Sequence, residues 1–147
     1  MGFIEDSIKA IIATLEADIP KGDRVARYYI GEPNNPPMSY PVVYVQFQGR
    51  TYAGIADTGR FLYLFNFEIG ILTRSLNEDT AELTNYQLVE DIETSLRANK
   101  ALNDGTVDLM IDTELNPYEI TTIRAVIEDH AMTKATITVP YKQWVNA

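Results

Sequence analysis

The alternation of apolar and polar positions is most pronounced between Phe61 and Leu72, Phe-Leu-Tyr-Leu-Phe-Asn-Phe-Glu-Ile-Gly-Ile-Leu. Phe61, Tyr63, Phe65, Phe67, Ile69 and Ile71 occupy the odd positions, and a period of two places them on one side of a β-strand. Leu62 and Leu64 make the other side apolar at its start, before Asn66, Glu68 and Gly70. At ~3.3 Å per residue the run spans roughly 40 Å. A chain of this length should have a radius of gyration of ~15 Å. The strand is therefore expected to overhang a monomer and to require cover from copies of itself.

The other elements follow from similar spacings. Ile4, Ile8, Ile11, Ile12, Leu15 and Ile19 recur at helical intervals, which predicts an amphipathic helix over Phe3–Ile19, closed by Pro20. Val25–Ile30 reads as a short strand. A turn-rich loop at Gly31–Pro37 follows, and Tyr40-Pro41 precedes a strand over Val42–Gln48. Gly49–Gly59, with three glycines, reads as a connector that makes this strand and the long one an extended hairpin with a mobile tip. Leu88, Val89, Ile92 and Leu96 form the stripe of a second helix, opened by Asn77-Glu78-Asp79. That helix is expected to fray from Asn99 to Asp104 and to stop at Gly105. Strands are predicted over Thr106–Thr113, Thr121–Glu128 and Met132–Tyr141, with a turn at Asn116-Pro117. The sum is a single α+β domain over residues 1–147. Its mixed or antiparallel sheet carries two helices on one face and a long protruding β-hairpin.

Composition narrows the function. The net charge of −9 argues against wrapping nucleic acid by phosphate neutralisation. There is no cysteine, so disulfides and thiolate-bound metals are excluded, and the chain suits a reducing compartment. No apolar run has the ~20 residues of a membrane helix. The start, Met1-Gly2-Phe3-Ile4-Glu5-Asp6, does not read as a secretory signal.

Catalytic chemistry is hard to find. His130 is the single histidine; no serine or cysteine motif accompanies it, and it reads as a solvated turn residue. Asp108, Asp112 and Glu114 suit a solvent-facing edge, a divalent-cation site or a negative strip lining a channel. The glycines match no phosphate-binding pattern. We expect no catalytic residues, metal or cofactor. Arg50, Tyr52, Asp57 and Arg60, in and around the hairpin tip, are the interface candidates, since Arg and Tyr are enriched where proteins meet. Trp144 either seals its own sheet or docks on a neighbour.

An amphipathic first helix, a long hairpin, the helix opening Asn77-Glu78-Asp79 and the ending Lys134-Ala135-Thr136-Ile137-Thr138-Val139-Pro140-Tyr141 together resemble tailed-phage tail terminator (tail completion) proteins. The resemblance is one of element order over most of the chain. It implies a homo-oligomeric ring, typically a hexamer, that caps the tail tube protein and offers a surface to head–neck connector proteins. DNA would pass its channel without specific binding, no membrane would be involved, and the protein would reside in the virion after assembly in the host cytoplasm. Asp104, Asp108, Asp112 and Glu114 are the candidates for an acidic lumen. The rival readings are another neck component, a tail tube subunit, or a small ligand-binding domain or enzyme.

Overall fold

The structure is a computed structural model that describes residues 2–22, 24–33, 39–55, 59–75, 78–99, 101–103, 108–111, 119–127 and 130–146. Its elements run α1 (Phe3–Asp18), β1 (Arg27–Ile30), β2 (Val42–Ile55), β3 (Arg60–Ser75), α2 (Glu78–Ala98), β4 (Ala101–Asn103), β5 (Asp108–Ile111), β6 (Glu119–Ile127) and β7 (His130–Asn146). The strands form one sheet in the order β1-β2-β3-β7-β5-β4, with β6 also paired to β7. β1 joins β2 in parallel and the remaining pairs are antiparallel, so the sheet is mixed. This is the expected α+β class.

Both helices cover the same side of the sheet. Ile8, Ile11 and Leu15 of α1 and Leu88, Ile92 and Leu96 of α2 share one core with Phe65, Phe67, Ile69 and Ile71 of β3 and with Ile137, Val139 and Tyr141 of β7. On the long strand Phe65, Phe67, Ile69 and Ile71 are buried and Phe61 and Tyr63 partly so, on the side its alternation dictates. Polar side chains anchor the helices. Asn85 Nδ2 donates to the carbonyls of Ile71 and Thr133, both at 3.0 Å. Thr73 Oγ1 donates to Ala81 O at 2.7 Å. Ser95 Oγ donates to Asp18 Oδ2 at 2.6 Å, fastening the C-terminal ends of the two helices together.

Several expectations are corrected. The strand after Tyr40-Pro41 does not end at Gln48; it continues to Ile55 and stays paired with β3 as far as Ile55↔Phe61. Two register shifts, at Phe47/Gly49 and Tyr52/Gly54, absorb residues that read as loop. An inserted residue leaves pairing intact on either side, and Gly49 takes the positive φ of 143° that such a site tolerates. Arg50 and Tyr52 therefore lie within a strand and not in a hairpin tip.

The last strand runs on to Asn146, well beyond Tyr141. It pairs with every residue of β3, from Arg60↔Asn146 to Ser75↔Ala131. The long strand is thus central, hydrogen-bonded on one side by β2 and on the other by β7. It does not need a second copy to complete its backbone pairing. β4 occupies part of the stretch expected to fray, and β4–β5 is an additional antiparallel pair. His130 opens β7 and pairs with Ile127. The expected cap at Asn77, stop at Gly105 and turn at Asn116-Pro117 lie outside the described residues.

Candidate assembly surface

Arg50 is the one interface candidate whose side chain is described, and the bulge at Phe47/Gly49 sets its surroundings. Past the bulge, Arg50 is opposite Phe65. Its guanidinium lies over the Tyr63 ring, 4.8 Å from the centroid, an attractive placement for a cation on an aromatic face. Beside it opens a groove of about 730 Å³ lined by Gly2, Phe3, Ile4, Phe47, Arg50, Phe65 and Gln143.

Three phenylalanines shape this groove. Phe3 meets Phe65 edge-on with centroids 5.2 Å apart, and Phe47 lies 6.5 Å from Phe65. Such offsets suit the ring quadrupole. Gly2 is the N-cap of α1 and supplies no side-chain cap. The first turn of a helix carries unsatisfied N–H donors and a partial positive charge. An apolar wall, a guanidinium and a helix N-terminus thus converge on one opening. The chemistry suits an apolar segment bearing a carboxylate.

The remaining sequence candidates lie on different strands of the sheet. Tyr52 pairs with Tyr63, and Arg60 pairs with Asn146. Asp108 opens β5, opposite Asn103, and β5 joins β7 through Met110↔Lys142 and Ile111↔Tyr141. Arg50 on β2 and Asp108 on β5 are therefore separated by β3 and β7, about 14 Å across the sheet at ordinary strand spacing, whereas Arg60 lies on β3 itself. Asp57, Asp104, Asp112 and Glu114 lie outside the described residues. The groove's aromatic walls escaped the sequence reading because they come from three elements distant in the chain. A phenylalanine next to an uncapped helix start was the available signal.

Two tyrosines have raised pKa values. Tyr28 is pushed up to about 12, by burial first and by the Glu16 charge second; its hydroxyl donates to Ile19 O at 2.7 Å. Tyr44 is pushed higher still, by burial, then by the charges of Glu68 and Glu32 and the hydrogen bond to Glu68. Both raise the cost of the phenolate, so neither residue is a poised base. Among the described residues no three carboxylates or histidines gather as metal ligands, and no helix is long and apolar enough to cross a membrane.

No family model matches the sequence, and a comparison with curated proteins returns no match. Solved structures do match. The fold is similar to that of a chain in the virion of a native gene transfer agent particle. The TM-score is 0.51 at 15% identity, over 92% of this chain and 93% of that one. The likeness covers nearly the full length of both chains, so it is a shared architecture and not a shared fragment.

Proposed function

We propose that this protein is a structural subunit of a phage-like virion and, within it, a ring-forming tail terminator. The observation that carries the reading is the end-to-end fold likeness to a virion chain. It agrees with the element order that resembles tail terminators. On this reading about six copies close a ring on the last open layer of the tail tube, ending its growth and presenting a face to the head–neck connector.

Two properties support the role. The net charge of −9 per copy gives a ring a field that keeps DNA from adhering as it passes. Asp108 and its neighbours Asp104, Asp112 and Glu114 are the residues we assign to the lumen. The groove beside Arg50 also leaves apolar surface for an assembly partner.

Solution mass combined with negative-stain imaging of the purified protein, alone and mixed with tail tubes, is the test. Finite rings, or tubes whose ends are closed and no longer elongate, are expected. Long tubes formed by the protein alone would make it a tube subunit. A monomer at every concentration that ignores tube ends would remove the assembly role.

A further inference from the structure

The groove at the start of α1 has a complement elsewhere on the same molecule. Among the exposed large apolar residues are two on the outer face of α2, Leu83 at 59% and Tyr86 at 40% exposure. Glu90 is also exposed and lies four residues beyond Tyr86. Intervals of three and four place Leu83, Tyr86 and Glu90 along one helical stripe. This stripe offers two apolar anchors followed by a carboxylate. The groove offers phenylalanine walls and then Arg50.

The two surfaces do not meet within this chain, since no described residue of α2 is among those lining the groove. The groove forms around Phe65, whereas the start of α2 is fastened at Thr73. Eight strand residues separate these points, roughly 26 Å. Complementary patches at different places on one molecule produce a head-to-tail contact, the type that closes rings.

We propose that the Leu83–Tyr86–Glu90 stripe of one copy docks into the Phe3–Phe47–Phe65 groove of the next, with the Glu90 carboxylate against the Arg50 guanidinium. A second copy is the favoured occupant on grounds of charge. Two bodies of −9 repel, a cation facing an incoming acid offsets that repulsion, and Arg50 lines the groove as such a cation. An apolar centre with a charged rim is also how stable contacts divide affinity from specificity. This inference rests on the ring reading and names its subunit contact.

A charge swap tests it. Assembly of the full chain is measured by sedimentation for the wild type, Arg50→Glu, Glu90→Arg and the double swap, with circular dichroism confirming that each folds. Each single reversal should raise the concentration needed for assembly at least ~10-fold, and the double swap should return it to within ~3-fold of wild type. The double swap also preserves the net charge of −9. Leu83→Asp should abolish assembly without unfolding the protein, because its side chain is exposed. Singles that assemble like wild type, or a double swap that fails to recover, overturn this contact and leave the ring reading standing. Singles that form rings but no longer cap tubes would assign the groove to the tube and also overturn the copy-to-copy contact. A wild type that never assembles, alone or on tubes, overturns both.

Discussion

The same three strands, β2, β3 and β7, present two faces that are covered by different means and to different extents. On the helix side, Phe67, Ile69, Ile137 and Val139 are fully buried beneath α1 and α2. On the opposite side, where neither helix reaches, Tyr44 is nonetheless fully buried. Its ring lies across Gly70, its cross-strand partner, so closely that a Cβ there would sit 1.9 Å from Tyr44 Cε2. The Tyr44 hydroxyl donates to Glu68 Oε2 at 3.0 Å, and Lys134 Nζ stands 5.7 Å from the centre of the ring while pairing with Glu32 at 2.7 Å. One face is covered by separate elements. The other is largely half-buried, and at Tyr44 it is closed by its own long side chains, with Gly70 supplying the space for the ring.

That contrast can be broken from either side. The largest loss is expected on the helix face: Phe67→Ala removes a fully buried ring packed 5.8 Å from Tyr141 and 5.7 Å from Phe47. It should cost ~3–5 kcal/mol of stability in urea unfolding, from lost transfer and the cavity left behind. A cost below ~1 kcal/mol would mean that the helix layer does not seal this face.

Gly70→Ala probes the other face and should cost ~1–3 kcal/mol, because the new methyl displaces the Tyr44 ring from its hydrogen bond with Glu68. In a double-mutant cycle with Tyr44→Ala, the alanine at position 70 should lose most of its penalty. Strict additivity would show that the ring over the glycine is not what makes the position intolerant.

The smallest effect is confined to strong base and compares one tyrosine from each face. Tyr28 rises from its ordinary 10.0 to about 12, and Tyr44 shifts in the same direction. A folded pKa above the unfolded one means that the stabilisation is fully present below pH ~10 and is lost as pH climbs through the folded value. The tyrosine contribution should therefore be constant near neutrality and fall above pH ~10. Tyr28→Phe should flatten the part of that fall between about 10 and 12. Phenolate absorbance checks the order directly, with Tyr28 ionising before Tyr44. The reverse order would contradict the added effect of the Glu68 and Glu32 charges beside Tyr44.

Much of this architecture was legible because it is periodic. The stripe through Ile8, Ile11 and Leu15 and the alternation through Phe65, Phe67 and Ile69 each name an element and its buried side within a few residues of chain. The assembly groove was legible only in part. Arg50 stood out as a cation beside a glycine-rich stretch, but that stretch resembled a loop because Gly49 and Gly54 are weak strand formers. Once paired with β3 they become bulges, and it is a bulge that sets Arg50 opposite Phe65.

By itself, then, the sequence determined the helical stripes, the long strand with its buried odd side, and an acidic chain without thiols. Only the tertiary structure decided that β7 accompanies β3 along its full length, that β1 adds in parallel, and that Phe3, Phe47 and Phe65 meet around Arg50. The reason is physical. Periodicity is written in neighbouring residues, whereas strand partners and bulge registers are chosen by contacts between segments far apart in the chain, where one residue of slip changes which side chains share a face.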